Sequence, residues 1–393
     1  MLRPARLACA ALVLVCSNAA TGAAFQDSGI WSVEREPLVR AGWVAGQPDT
    51  EFFDVVATAR LPDGAIAIAD RGLARVTVVE ADGSVRFAVG GSGDGPGGFA
   101  RLAQVLVDDG GHLHALDARH QRLTEWTDAG TLVGTTTLSR AAQGRRLDAV
   151  GRFERGSWYV REATRLAGTP GGETARDTVG FFRLDADGIV GEKIAEVPGI
   201  VATQVMVGGQ AATRHIIFSP RALDTRFGNC LLLMTSDVPT IRVIGLEGNL
   251  RGEIQIPISV RRTTEDDRQA WIDGIIEANE APPEAAAMIE EMGRALVMAN
   301  QWPLTNRIVA DDAGFVWLER FKAPEGPSGQ WVVIDGGGEV VAEPVLPDGF
   351  DLLNVEGDRV IGTWSDELDR QELRVHALRR DRSGQEGLLA ECR

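Results

Sequence analysis

The sequence predicts an all-β fold made of repeated sheets, because a set of markers recurs at a constant interval between strand-like segments. Phe52 recurs as Phe99, and Asp70 recurs as Asp117, each 47 residues later. The full set is Phe52, Gly64, Asp70, Arg75 and Gly83, which recur as Phe99, Gly111, Asp117, Arg122 and Gly130. A repeat of this length with short strands is typical of a β-propeller blade.

The second strand of each repeat supports the same fold, because it is apolar at successive positions. Residues 65–69 and 315–318 have this pattern. Such a strand is buried on both faces, as in blades that stack face to face, whereas a sheet with one face in water alternates polar and apolar residues. We therefore predict a six-bladed β-propeller over residues 30–380.

The segment before the propeller has the pattern of a secretory signal peptide, which we place at residues 1–24. Arg3 and Arg6 precede an apolar run at residues 7–15, and small residues follow. We expect an exported protein, periplasmic or extracellular. A lipoprotein anchor at Cys16 is less favoured, because Val15 stands where a small residue is required. No later stretch reaches transmembrane length, so we expect no membrane-integral segment.

The first two repeats are the clearest. In the first repeat, strands are expected at residues 54–60, 65–69, 75–80 and 85–89. Asp-Gly pairs at positions 63–64 and 82–83 mark the tight connections, because glycine tolerates positive φ. Residues 105–138 repeat the scheme.

The later repeats are more divergent. We place the third at residues 147–198, the fourth at 211–258, the fifth at 305–347 and the sixth at 350–380. The sixth has only three strands, whereas residues 30–40 form a strand without a sheet of its own. Placing that strand at the edge of the sixth blade would close the ring and remove an exposed edge. Five or seven blades remain open, and residues 381–393 form a tail.

One segment is helical, and we predict helices over residues 264–279 and 283–300. Acidic residues after Thr264 favour a helix start, and apolar residues recur at helical spacing. The topology places this insertion, residues 264–300, between blades 4 and 5. It would lie on the face that carries Asp70 and Asp117, as a lid, a partner-docking element or simple packing.

The glycine-rich run at residues 89–99, followed by Asp117 and Arg122, resembles the linker and blade of NHL-repeat six-bladed propellers. The segment 351–378, with Trp364, is similar to the last blade of uncharacterised exported bacterial propellers. This resemblance implies the fold, export and ligand binding, but no single reaction.

The formal charge of −16 argues against nucleic acid and anionic membrane surfaces as partners. The expected partner is a small ligand or a protein, and the expected state is a monomer. Outside the N-terminal segment the chain has two cysteines, Cys230 and Cys392. They form either one disulfide, tying the tail to a middle blade, or two free thiols. His112 and His114 lie two residues apart, but no third metal ligand accompanies them.

The ends of the second strands bring polar side chains toward one face, where they could bind a small polar or sugar-like ligand. These candidates are Asp70, Arg71, Asp117, Arg161, Glu162, Glu319, Arg320 and Trp364. Solvated loop ends are the competing interpretation for each. The five-residue spacing of Asp70 and Arg75, repeated in Asp117 and Arg122, favours an ion pair that fixes a loop. Because it repeats, we assign it to the scaffold.

These observations favour an exported, non-enzymatic binding scaffold with no cofactor. The alternative is a calcium-dependent hydrolase or lyase acting at the propeller channel, similar to lactonases that hold calcium with Glu, Asn and Asp. Asn229, Asn306, Asn354 and Glu319 are the residue types that this requires, but their surroundings match no motif and we assign none. Several oxygen ligands converging on the central axis would favour the enzyme. A third possibility, docking to a membrane complex, predicts an exposed apolar patch on the helices.

Overall fold

The computed structural model describes residues 31–393 except 44–49, 140–143, 167–172, 208–209, 323–328, 367, 369 and 381–386. The expected signal peptide, with Cys16, lies outside the described residues. Within the described chain, the strands form six antiparallel sheets of four or five strands. We number these sheets 1 to 6 in chain order.

Sheets 1 and 2 contain the sequence repeat, and their strands match the predicted ones within two residues, apart from the start of the second repeat. Sheet 1 consists of β2 (Val55–Arg60), β3 (Ile66–Asp70), β4 (Arg75–Val79) and β5 (Val85–Gly90). Sheet 2 consists of β6 (Leu102–Val107), β7 (Leu113–Asp117), β8 (Arg122–Trp126) and β9 (Leu132–Thr137). Every residue of β3 and β7 is buried, as their successive apolar residues predict.

Sheet 3 is larger than predicted. It consists of β10 (Leu147–Arg152), β11 (Trp158–Glu162), β12 (Ala175–Leu184), β13 (Val190–Val207) and β14 (Gln210–His215). The predicted boundary near residue 211 was wrong, because β13 continues past the expected end and pairs with β14, Ala202 lying opposite His215. Sheet 4 therefore begins later, with β15 (Ala222–Phe227), β16 (Cys230–Thr235), β17 (Thr240–Gly245) and β18 (Leu250–Gln255).

Sheet 6 contains the first strand of the described chain. Sheet 5 consists of β19 (Thr305–Ala310), β20 (Val316–Arg320), β21 (Trp331–Ile334) and β22 (Val340–Ala342). Sheet 6 consists of β23 (Phe350–Glu356), β24 (Arg359–Ser365), β25 (Gln371–Arg379) and β1 (Ser32–Gly42). β1 lies antiparallel to β25, with Val39 opposite Val375. This is the edge at which the sequence analysis placed the N-terminal strand.

The hydrophobic core lies between neighbouring sheets. Six clusters of buried side chains each combine residues of two consecutive sheets, and one of these clusters joins sheet 6 to sheet 1. In that cluster Val39 and Val375 pack with Ile68. A close approach of the backbone accompanies it: Gly83, at φ +86°, would place a Cβ 2.1 Å from the carbonyl oxygen of Arg40.

The first strands of all six sheets border one cavity of about 350 Å³, which we call the axial cavity. Each sheet contributes at least one of the lining residues Thr58, Gln104, Gly151, Asp224, Val309 and Asn354. The first strand of every sheet therefore contributes to the wall of this cavity.

The helices form a hairpin between sheets 4 and 5, with α1 at Glu265–Ala278 and α2 at Pro283–Ala295. Thr264 caps α1 through a reciprocal capping box with Asp267. The predicted end of the second helix near residue 300 was wrong, because the backbone beyond Ala295 pairs elsewhere. Ile217 donates its N–H to the carbonyl of Val297 and accepts one from Ala299. No described helix is long and apolar enough to cross a membrane.

The tail ends in a 3₁₀ helix, Gly387–Cys392, which is bound covalently to sheet 4. Cys392 and Cys230 form a disulfide with a Cα–Cα distance of 5.3 Å. Leu389 and Cys392 are fully buried among side chains of sheets 4 and 5. The backbone N–H of Asn229 also donates to the carbonyl of Cys392 at 2.6 Å. The tail therefore fills part of the core between these two sheets.

We predict that Cys392→Ala lowers the free energy of unfolding by about 2–5 kcal/mol, because the disulfide closes a long loop in the unfolded chain. Urea denaturation followed by tryptophan fluorescence measures the change. Wild type under dithiothreitol is the matched control and should lose a similar amount. Equal unfolding midpoints for oxidised and reduced wild type would contradict the prediction.

Candidate functional site

The repeated aspartates are structural. The carboxylate of Asp70 accepts backbone N–H bonds from Phe53 (3.0 Å), Asp54 (3.2 Å) and Leu73 (3.0 Å). The side chain is fully buried. It satisfies the backbone at the start of one strand and in the turn after another, so it belongs to the loop framework and does not face a ligand.

Asp117 repeats this arrangement in sheet 2. It accepts backbone N–H bonds from Ala100, Arg101, Arg119 and His120, and the His120 ring lies 2.7 Å away. Burial alone would raise the pKa of Asp117, but these hydrogen bonds outweigh it and hold the pKa below its usual value.

The Arg122 guanidinium does not form the hydrogen-bonded pair with Asp117 that the spacing suggested. Their closest N–O distance is 3.9 Å. Arg122 instead donates to the carbonyls of Asp94, Gly95 and Gly98. The arginine thus fixes the glycine-rich connection between sheets 1 and 2 through its backbone, which is a structural task.

Most of the remaining candidates have partners within their own sheets. These pairs are Arg71 with Asp54 (2.6 Å), Glu319 with Arg307 (2.7 Å), Arg320 with Glu343 (2.9 Å), and Trp364 with the guanidinium of Arg374, 3.8 Å from the ring centroid. Glu162 is buried, 4.0 Å from Arg145. The structure does not bring these residues together in one pocket. Of the eight candidates, Arg161 alone lines a cavity of about 630 Å³ that the described residues enclose elsewhere.

That cavity has a volume of about 630 Å³ and lies between sheets 3, 4 and 5 and helix α1; we call it the hairpin cavity. Its aromatic wall consists of Phe218, Trp271 and Phe321. The other lining residues are Arg161, Thr164, Ile200, His215, Ile216, Ser219, Arg221, Ala222 and Lys322. Volumes of this size are typical of small-molecule sites.

Phe218 has an unusual backbone conformation. Its φ is +56°, in the left-handed region that non-glycine residues rarely adopt. The other described non-glycine residues with positive φ are Ala74 and Gln121, which occupy equivalent repeat positions, and Glu280, between the helices. Phe218 therefore carries local strain at a position outside the repeat. Strain of this kind is concentrated at functional sites.

A stack of aromatic and charged groups holds Phe218 in place. Its ring lies 4.8 Å from that of Trp302 at an interplanar angle of 23°. The guanidinium of Arg261 lies 4.0 Å from the centroid of Trp302. Trp302 Nε1 donates to Asp267, the residue that completes the capping box of α1. The wall of the cavity and the start of the helix hairpin are therefore one connected unit.

Arg161 lines the hairpin cavity and also approaches two acidic residues, Asp148 and Asp224, of which Asp224 lines the axial cavity. It lies 3.2 Å from Asp224 and 3.6 Å from Asp148, and Arg101 is a further charge near Asp148. Neither Arg161 Nε nor Asp148 Oδ1 has a hydrogen-bond partner among the described residues, although both atoms are buried. Burial raises the pKa of Asp148 to about 6, although Arg161 opposes the shift. Burial also raises the pKa of Asp224.

The other cations of the cavity are not neutralised in this way. Within the described part of the chain, no acidic side chain lies within ion-pair distance of Arg221 or Lys322. Partial burial and the charge of Arg221 both lower the pKa of His215. The hairpin cavity therefore combines an aromatic wall with unpaired positive charge.

The histidine pair and the calcium candidate Asn229 have other partners in the described part of the chain. His112 lies 2.6 Å from Glu125, and His114 lies 3.1 Å from Asp108, so each imidazole has its own carboxylate. Asn229 accepts the backbone N–H of Arg155, on a different loop. Among the residues described, no three His, Cys, Asp or Glu side chains are placed to hold one metal ion.

Sequence reasoning identified Arg161 and missed the rest of the hairpin cavity. The missed residues are His215, Phe218, Arg221, Trp271, Phe321 and Lys322. They lie outside the repeat, on β14 and the connection after it, on α1, and directly after β20. Two signals were available in the sequence: the irregularity of the repeat around residue 211, and Lys322, which is one of only two lysines in the full sequence.

No family model and no curated protein matches this chain. Among solved structures, a member of the DUF4221 family from Bacteroides vulgatus has a TM-score of 0.53 at 9% identity, covering 90% of this chain and 99% of that chain. A protein described as exported, from Bacteroides fragilis, has a TM-score of 0.51 at 11% identity, covering 89% and 96%. A gluconolactonase from Xanthomonas campestris has a TM-score of 0.45 at 11% identity, covering 90% and 99%. The likeness shows the fold alone, which is β-propeller-like.

We predict that Asp148→Asn becomes more stable relative to wild type as the pH rises. The folded-state pKa of about 6 exceeds the ordinary value of 3.8, so folding takes up a proton between these values. Wild type therefore loses stability up to about pH 6, by roughly 1 kcal/mol between about pH 5 and pH 8. Urea denaturation at the two pH values measures this difference.

The exposed residue Asp187 provides the control for this prediction. The free energy of unfolding of the variant Asp187→Asn should differ from that of wild type by the same amount at both pH values. An Asp148→Asn difference that stays constant with pH would show that Asp148 is not protonated in this range.

Proposed function

We propose that this protein is an exported β-propeller that binds a small polar ligand in the hairpin cavity and catalyses no reaction. The observation that carries the proposal is the convergence of unpaired cations and an aromatic wall in one cavity of about 630 Å³. The strained backbone of Phe218 at the same place supports it, because strain away from the repeat needs a reason other than blade geometry.

We further propose that the six sheets are blades of one closed ring of the NHL-repeat type. Three observations support a closed ring: the pairing of β1 with β25, the hydrophobic cluster between sheets 6 and 1, and the contribution of all six sheets to the axial cavity. In this arrangement the propeller spans residues 30–380, with the helical insertion at 264–300 and the tail at 381–393.

The proposed location is the periplasm or the exterior of the cell. Residues 1–24 have the pattern of a signal peptide, and the Cys230–Cys392 disulfide suits an oxidising compartment. Lipid attachment at Cys16 stays the less favoured form, and we propose a monomer.

The polar groups of the cavity favour binding over catalysis. Thr164 and Ser219 are the hydroxyl side chains that line the described cavity. The Oγ of Ser219 donates to the carbonyl of Val201 and accepts the N–H of the same residue. A serine held in backbone hydrogen bonds is not activated by a neighbouring base. The remaining polar groups are mainly cations, which bind and orient a ligand.

The calcium-dependent alternative fits the axial residues poorly. Asp148 and Asp224 are the acids that approach one another near the axis, and the guanidinium of Arg161 lies between them. A bound calcium ion needs several oxygens around it, but here a positive side chain occupies that position. Glu319, another candidate, is bound to Arg307. We derive no reaction step through calcium.

The third possibility, docking of the helices to a membrane complex, has little support. Met288 and Val297 are the large apolar residues that are clearly exposed on the described hairpin and the residues just after it. Two separate side chains do not make a contiguous apolar patch.

We predict that Thr164→Trp weakens ligand binding, because Thr164 lines the cavity and an indole there would occupy part of the space available to a ligand. The measurement is the shift of the thermal unfolding midpoint with about 5 mM glucose, galactose, glutamate, citrate or adenosine monophosphate. At least one compound should raise the wild-type midpoint by about 2 °C. Leu166→Trp is the matched control, since Leu166 is exposed on the same loop but does not line the cavity.

Two results of this experiment would contradict the proposed function. One is a wild type that responds to no compound in the panel. The other is a Thr164→Trp variant that responds as strongly as wild type, which would place binding outside the hairpin cavity.

We predict that calcium leaves the protein unchanged. The thermal midpoint should agree within about 1 °C between about 1 mM CaCl₂ and about 1 mM EDTA, because no binding means no linkage to stability. Elemental analysis of the purified protein is the second measurement. Stoichiometric calcium together with a stabilising shift would favour the hydrolase or lyase alternative instead.

A further inference from the structure

We infer that the ligand of the hairpin cavity is a small organic anion with a planar apolar body, its charged group lying between Arg221 and Lys322. This inference rests on the proposed function and names the chemical class of the ligand. It follows from the charge of the cavity, the pairing state of its cations and the composition of its wall.

The first argument is the sign of the charge. The protein carries a formal charge of −16, with 56 acidic residues against 40 basic ones. The titratable residues that line the hairpin cavity are nevertheless all basic: Arg161, His215, Arg221 and Lys322. A basic cavity in an acidic protein concentrates anions at one place and repels them elsewhere.

The second argument is that two of these cations are available to a ligand. Arg161 already lies between Asp148 and Asp224. Arg221 and Lys322 have no acidic partner within the described residues, and both are exposed. Partial burial lowers the pKa of His215, and the charge of Arg221 lowers it further, which agrees with an Arg221 that has no acidic partner among the described residues.

The third argument concerns the body of the ligand. The cavity wall is apolar at Ile200 and Ile216 and aromatic at Phe218, Trp271 and Phe321. Flat apolar groups pack well against such rings. A sugar needs carboxylate or amide partners for its hydroxyl groups, but no Asp, Glu, Asn or Gln lines the described cavity. The wall therefore fits an anion with a ring better than a neutral sugar. This restricts the small polar or sugar-like ligand expected from the sequence to one chemical class, the aromatic anions.

A pair of fluorescent probes tests the inference on the full-length mature protein. The anion is 8-anilinonaphthalene-1-sulfonate, and its neutral counterpart without the sulfonate is N-phenyl-1-naphthylamine. Arg221→Gln and Lys322→Gln should each weaken the sulfonate about tenfold, the loss expected for one charged hydrogen bond. They should change binding of the neutral probe less than about twofold. Raising the salt from about 50 to 500 mM should likewise weaken the sulfonate alone.

Two controls separate the possible failures. Lys193→Gln removes the other described lysine, which is exposed and paired with Glu196, and should change neither probe. Thr164→Trp should weaken binding of both probes, because its indole occupies part of the cavity. Equal losses of both probes in Arg221→Gln and Lys322→Gln, or no loss of either, would overturn the anion inference while leaving the cavity as a binding site. If Thr164→Trp affects neither probe, the proposed function fails as well.

Discussion

Burial of both faces of each sheet is the constraint on which this structure depends. A strand such as β3, buried at every residue, needs packed side chains above and below its sheet. Each sheet therefore requires a neighbour on either side. The hydrophobic cluster of Val39, Ile68 and Val375 meets this requirement where the first and last sheets come together. The ring that we propose follows from the same requirement, because a row of sheets would leave two apolar faces in water.

The repeat could be recognised in the sequence because its residues satisfy backbone hydrogen-bond donors and core positions that recur in sheets 1 and 2. Asp70 and Asp117 accept loop N–H groups, and Phe52 and Phe99 are buried. When the same structural role recurs in successive sheets, the same residue type recurs at a constant interval in the sequence. The boundary of sheet 3 left no such trace, because the length of β13 is set by pairing with β14.

The candidate site was largely hidden from sequence reasoning for a physical reason. Its residues come from three sheets and a helix, and no local pattern requires Phe218 and Trp271 to face one another. Arg161 was identified because it ends a second strand, a position that the repeat defines. The strain at Phe218 is a tertiary property, since the packing of Trp302 against its ring holds it.

Some charged residues stabilise the loops of the fold, and others line the candidate site. Arginines such as Arg122 are bound to loop carbonyls, whereas Arg221 and Lys322 stay available at the hairpin cavity. Arg161 belongs to both groups, since it faces the cavity and two acids near the axis. A substitution there would disturb binding and scaffold together.

The bond between Cys230 and Cys392 has a consequence for the exported protein that we propose, because proteases act on exported proteins. The two cysteines are 162 residues apart, so the bond encloses both helices, sheet 5 and the strands β23, β24 and β25 of sheet 6 in a covalent loop. A single proteolytic cut in that loop, for example in the turn between the helices at Glu280, leaves the two fragments joined as one molecule. Damage in this half of the chain would open the backbone without releasing any piece of it.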